Sequence, residues 1–120
     1  MLELIGDGTD LIVPLAVGEP IATLDAVEHA AGDGLIDGVN VHQMHALVDR
    51  GYLDGRYGRR LHHVSYFLSG VTRPHFHSGG IDLVPAHFSE VPHLLRHTVR
   101  RPLIVAAASL PDRHGYFSLG

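Results

Sequence analysis

The sequence predicts an α/β domain, a mostly parallel β-sheet flanked by helices. Three observations carry this. Short apolar runs of strand length recur along the chain and alternate with helix-like or loop-like segments. Several of these runs are apolar at consecutive positions, as strands buried on both faces are. The 120 residues are 45% hydrophobic and 18% charged, enough apolar content for one core, and the length fits a single domain over residues 1–120.

The elements follow in order. Residues 10–15, Asp-Leu-Ile-Val-Pro-Leu, read as a first buried strand ending in turn chemistry. Pro20 at a helix start, followed by Ile21, Leu24, Ala26, Val27, Ala30 and Ala31, predicts a helix over 20–31, stopped by Gly32-Asp33-Gly34. Residues 39–45 alternate apolar and polar and predict a second strand. Residues 49–60 carry three glycines and mixed charge and read as a loop. Residues 63–68 are the third strand. Residues 71–80 take the place of a crossover helix, shortened by Pro74. Residues 81–85 are the fourth strand, broken by Pro85. Residues 89–97 read as a short helix with Ser89 at its cap. Residues 102–109, Pro-Leu-Ile-Val-Ala-Ala-Ala-Ser, give the clearest buried strand, and 111–116 are turn chemistry. In such sheets ligands sit beyond the carboxyl ends of the strands, here the segments after Leu15, His45, Leu68, Pro85 and Ser109.

Composition narrows the function. No apolar run approaches the roughly 20 residues of a membrane-spanning helix. The start, Met1-Leu2-Glu3-Leu4-Ile5-Gly6-Asp7, is acidic and unlike a secretory signal, so a cytoplasmic protein is expected. The absence of cysteine excludes disulfides, thiol nucleophiles and thiolate metal sites. Nine acids face one base, Arg50, in residues 1–50, whereas four acids face eight arginines in residues 51–120. Every base is Arg, a composition that a GC-rich genome produces and that also suits bidentate anion contacts. No nucleic-acid motif is present. A small anionic ligand against the Arg-rich half fits this balance.

Four stretches, in this order and spacing, carry a family resemblance: the strand and turn ending in Gly18-Glu19-Pro20; His63-Val64-Ser65-Tyr66-Phe67; Pro85 with Phe88-Ser89-Glu90-Val91-Pro92 and Leu95-Arg96; and Ser109-Leu110-Pro111-Asp112-Arg113-His114-Gly115-Tyr116-Phe117-Ser118-Leu119-Gly120. The chain resembles, over nearly its whole length, the N-terminal domain of the acetyl-CoA hydrolase/CoA-transferase family, the 4-hydroxybutyrate CoA-transferase type in particular. The resemblance implies coenzyme A and acyl-CoA as substrate, with no covalently bound cofactor, and a carboxylate acceptor, or water in the hydrolases. It implies covalent catalysis by a glutamate that lies in a second, similar domain. The chain is therefore expected to be an N-terminal domain or split subunit, inactive alone, that needs the second domain in trans. A half-enzyme should expose apolar surface, so a homo-oligomer is expected. The alternative is a non-catalytic stand-alone domain that keeps the fold for oligomerisation or ligand binding.

The resemblance places the cleft at Val17, Gly18, Glu19 and Pro20, at Ser89 and Glu90, and at His114 and Gly115. Backbone donors for a thioester oxyanion come by position from Ala16-Val17-Gly18-Glu19. Members often carry Gly where Ala16 stands. No catalytic residue is assigned; Glu19 and Glu90 are the two acids with any claim. Ser89-Glu90 superficially resembles the S-E-N-G nucleophile motif of two-subunit CoA-transferases, and equally fits a helix-start acid. His114 is either a cleft residue or part of a turn in which Asp112 closes an Asx turn and Gly115 takes a positive φ. The 11 histidines, including His42 with His45, His62 with His63 and His75 with His77, show no third ligand at fixed spacing, so surface imidazoles and no metal site are expected. Arg96, Arg100 and Arg101 are a solvated cluster or a phosphate contact.

Overall fold

The computed structural model describes residues 2–119. Met1 and Gly120, the last residue of the closing motif, lie outside them. The strands are β1 (Asp10–Val13), β2 (Val39–Gln43), β3 (Leu61–Ser65), β4 (Asp82–Leu83) and β5 (Pro102–Ile104). They form one sheet in the order β4-β3-β2-β1-β5, and all four pairings are parallel. The helices are α1 (Ile21–Gly32), α2 (Thr72–His77) and α3 (Val91–Thr98).

The core lies on one face of the sheet. Side chains alternate between the faces of a strand, so Leu11 and Val13, Val39 and Val41, and Leu61 share a side. They pack with Leu24, Val27, Ala30 and Ala31 of α1 in one buried cluster. The spacing of those four helix residues marks a single helical stripe. The opposite face carries Asp10, Asn40 and His42, joined by hydrogen bonds. α3 has no buried residue.

Several boundaries differ from the sequence reading, each for a local reason. Pro14 follows β1 directly, and Pro20 stands just ahead of α1 rather than inside it. Residues 49–60, read as a loop, contain a 3₁₀ turn (Gly51–Asp54) that buries Tyr52 and Leu53 almost completely. Of the three glycines there, Gly55 packs backbone to backbone against Gly80, whereas Gly58 faces open space. Gly55 has φ +79°, and a methyl on the facing Gly80 would stand 2.3 Å from the Leu53 carbonyl oxygen. β3 begins two residues early, at Leu61, and stops where the Ser65 hydroxyl donates to the Phe67 carbonyl at 2.8 Å. Pro74 falls in the first turn of α2, where its missing N–H costs nothing. Ser89 caps no helix: it lies inside the 3₁₀ turn Phe88–Glu90, which His87 caps with Glu90 in a capping box, and Glu90 then stands at the N-cap of α3. β5 is an edge strand with half-exposed burial, so its uninterrupted apolar sequence faces open surface.

Candidate functional site

The chain leaves β1 toward β2 on one side, while β5 pairs with β1 on the other. The carboxyl ends of β1 and β5 therefore flank the topological switch point, where open α/β sheets bind ligands. Residues Ala16–Gly18 form a 3₁₀ turn directly after β1. In this turn the Ala16 amide donates to the His45 carbonyl and the Gly18 amide to the Leu15 carbonyl, each at 3.2 Å, so Val17 is the position whose amide is left for a ligand. Ala16 has φ +52°, a left-handed conformation that disfavours a side chain. At Gly18 a methyl would stand 2.9 Å from the Pro14 Cβ. Replacing Ala16 by Gly is therefore expected to stabilise the domain by about 0.5–1 kcal/mol, and Gly18→Ala to destabilise it by about 1–3 kcal/mol, read by thermal unfolding.

The segment after β5 continues beside this turn. The Val105 amide donates to the Ile12 carbonyl at 3.1 Å and the Ala107 amide to the Gly18 carbonyl at 3.1 Å. A tight loop follows. Asp112 Oδ1 accepts the amides of His114 at 2.8 Å and Tyr116 at 3.0 Å, and Gly115 takes φ +84°. This is the Asx turn that the sequence leads one to expect. Arg113 Nε donates to His114 Nε2 at 3.0 Å. The Ser109 amide donates to the Ser118 carbonyl and the Ser118 amide to Ser109 Oγ, closing the loop. Between the two segments lies an open hollow of about 310 Å³ lined by Val17, Ala107, Ala108, Ser109, Ser118 and Leu119. His114 and Gly115 occupy the exposed turn of the same loop and do not line the hollow.

Glu19 and Pro20 are buried beneath this turn. Glu19 Oε2 accepts Gln43 Nε2 at 3.2 Å and the Leu47 amide at 3.1 Å, and Oε1 stands 3.5 Å from Arg50 Nε, an ion pair without a hydrogen bond. Arg50 also pairs with Asp25 and donates to the Ile21 carbonyl. Burial opposes the Arg50 charge, but the Asp25 hydrogen bond and the neighbouring acids hold its pKa above the ordinary value. Glu19 thus braces the loop after β2 against the turn after β1. The sequence reading did not single out Gln43 or Arg50. A signal for Arg50 was present: it is the sole base among residues 1–50.

Ser89 and Glu90 sit in the exposed turn Phe88–Glu90, and Glu90 Oε2 accepts the His87 amide at 3.1 Å. Neither lines the hollow between the β1 and β5 loops. On the polar face of the sheet, Asp10 Oδ1 meets His42 Nε2 at 3.3 Å, and His42 Nδ1 meets the Tyr66 hydroxyl at 3.0 Å. Burial favours neutral Asp10, yet the Arg100 amide, Asn40, the Arg101 amide and His42 outweigh it and lower the pKa. Arg100 and Arg101 thus act here through their amides, anchoring the start of β5. His62 pairs with Asp82 and His75 with Asp49. Among the described residues no group of three or more metal-ligating side chains converges.

The chain is similar to CoA-transferases over a small part of their length. The chain is 34% identical over 107 residues to 4-hydroxybutyrate coenzyme A transferase of Clostridium kluyveri, covering 88% of this chain and 24% of that protein. It is 33% identical over 111 residues to succinyl-CoA:cyclohexane-1-carboxylate CoA transferase of Geobacter metallireducens, covering 92% of this chain and 25% of that one. The chain thus spans about a quarter of the length of the curated relatives it matches. The crystal structure of RipA from Yersinia pestis superposes with a TM-score of 0.82 at 27% identity, over 96% of this chain and 29% of RipA. A mutant form of RipA gives 0.86 over 99% of this chain. No family model matches the chain. No helix among the described residues is long and apolar enough to cross a membrane.

Proposed function

We propose that this chain forms the N-terminal part of the cleft of an acyl-CoA:carboxylate CoA-transferase or acyl-CoA hydrolase, working with a second domain that supplies the nucleophilic glutamate. The observation that carries this is the pairing of homology with geometry. Similarity to two CoA-transferases extends over most of the chain, and the turn at residues 16–18 and the loop at 109–118 flank one hollow. In the proposed reaction the glutamate carboxylate attacks the thioester carbonyl, the C–S bond breaks, and CoA leaves as thiolate, the acyl group remaining on the glutamate as a mixed anhydride. The thiolate then attacks the glutamyl carbonyl, releasing the donor carboxylate and forming a glutamyl-CoA thioester. The acceptor carboxylate reverses both steps. The Val17 amide in the turn after β1 is suited to the oxyanion that each attack creates. Glu19 is committed to Arg50 and Glu90 to a helix cap, which supports a nucleophile from elsewhere.

The test is transfer itself. The purified chain is incubated with acetyl-CoA and a carboxylate acceptor, alone and with the polypeptide bearing the glutamate domain. Turnover with both and none alone is expected. Absence of both turnover and CoA binding in either mixture overturns the proposal in favour of a non-catalytic domain. The apolar residues beside the hollow are open, with Val17 and Leu110 each 90% exposed and Ile104 72%. Association through this surface is expected, so light scattering of the isolated chain should report a dimer or larger species. A monomer at high concentration counts against it.

A further inference from the structure

Two histidines of α3 stand apart from the groups described above. His93 and His97 are both exposed, and a spacing of four residues on a helix puts them on one face. Their ring centroids are 4.2 Å apart, with the planes tilted by 39°. The other histidine ring contacts are with tyrosine or phenylalanine. His97 Nδ1 lies 2.8 Å from the His93 carbonyl oxygen. A carbonyl only accepts, so Nδ1 carries the proton, and in the neutral ring Nε2 keeps a lone pair. Metal-binding histidines are held in this way: the second ring nitrogen donates to a carbonyl, which fixes the tautomer and the ring. The histidines paired with acids, His42, His62 and His75, lie on other elements. Glu90, a turn before His93, has Oε2 committed to the His87 amide.

We propose that His93 and His97 form a two-imidazole chelate for a first-row divalent transition ion of the zinc(II) and copper(II) class, with water in the remaining positions. Two nitrogens bound side by side to one ion, each at about 2.0–2.1 Å, stand about 3 Å apart. Side-chain rotation brings rings already in contact to that spacing. The ligand chemistry selects the class. Magnesium and calcium take oxygen ligands, whereas imidazole suits zinc, nickel and copper. Arg96, one position before His97, works against any cation, so the selection falls to the nitrogens and not to the local field. Geometry separates this pair from the others in the chain. His62 and His63 are adjacent on β3 and point to opposite faces, and His75 and His77 are two apart on α2 and do not face each other. Two protein ligands leave the site open, which agrees with the lack of any converging group of three among the described residues. Metal binding here is independent of acyl-CoA chemistry.

The test is a titration of the isotopically labelled chain with zinc chloride at neutral pH, followed by NMR of the imidazole nitrogens, with magnesium chloride as the hard-ion control. His29 is an internal standard. It is exposed on α1 and its Nδ1 lies 2.7 Å from the Asp25 carbonyl oxygen, so it has the same tautomer without a neighbouring imidazole. Zinc is expected to shift His93 and His97 as one saturable pair, at a concentration at least tenfold below any that moves His29. Magnesium should leave the pair unmoved, and copper(II) should displace the zinc. His93→Ala and His97→Ala should each weaken zinc at least tenfold. Both should keep the zinc-free spectrum, since alanine is the best helix former and neither side chain is buried. The proposal is overturned by an unshifted pair at about 1 mM zinc. It is equally overturned if His29 saturates together with the pair, if magnesium shifts the pair alike, or if either single variant binds zinc undiminished.

Discussion

Replacing Arg50 by alanine is expected to cost the domain about 3–5 kcal/mol, measured by urea unfolding, because it strands a carboxylate in the interior. The Glu19 side chain is only 2% exposed and that of Arg50 only 3%. Without the guanidinium, Glu19 retains Gln43 and the Leu47 amide but has no counter-charge. Glu19→Ala should be nearly as damaging, since it leaves the Arg50 charge with Asp25 alone and removes the acceptor of the Leu47 amide. The double variant Glu19→Met with Arg50→Met should lose clearly less than the two single losses together, as in a buried pair whose members stabilise mainly each other. Additive losses, or an Arg50→Ala cost below about 1 kcal/mol, would refute the bracing role. This pair sits under the turn that forms one wall of the hollow, so its loss should also loosen the wall before the rest of the sheet.

The second large effect concerns acid. His63 is fully buried, and neither ring nitrogen has a hydrogen-bond partner among the described residues. It stacks on Tyr52 at 5.9 Å. Burial, reinforced by His62, His42 and His75, pushes its pKa down to about 3 from the ordinary 6.5. The unfolded chain takes up the proton first. The contribution is therefore intact above about pH 6.5 and is lost as pH falls from there toward 3, at about 1.4 kcal/mol per pH unit. His42, also lowered by burial, adds to the slope in the same direction. His63→Leu should remove the His63 part of this acid limb. At pH 7 it should leave stability unchanged or higher, because two buried unpartnered nitrogens disappear. Unfolding midpoints from neutral to mildly acidic pH decide it: an unchanged slope in His63→Leu contradicts the assignment.

Much of the architecture was legible in the residues. The parallel sheet follows from runs such as Asp10-Leu11-Ile12-Val13, and the closing turn from Asp112 and Gly115, because both depend on local chemistry. What failed depends on distant partners. Residues 102–109 are apolar enough for a central strand, but sheet order sets β5 at the edge, and hydropathy does not encode order. The packing of Tyr52 and Leu53 was hidden beside Gly55, whose role is visible only once Gly80 lies against it. Glu19 stood out by its motif, yet its direction is set by Arg50, 31 positions away in a segment read as unstructured.

Pairing between β1 and β5 has a consequence in time. Asp10 receives the Arg100 amide across 90 positions of sequence. A chain emerging from the ribosome can pair β1 with β2 early, but the other edge of β1 stays open until the last strand arrives. Closing such a distant contact carries a large loop entropy, so the switch-point hollow is expected to be the last part of the sheet to form. Until then an apolar strand edge is offered to any neighbouring chain, and aggregation competes with folding at that stage.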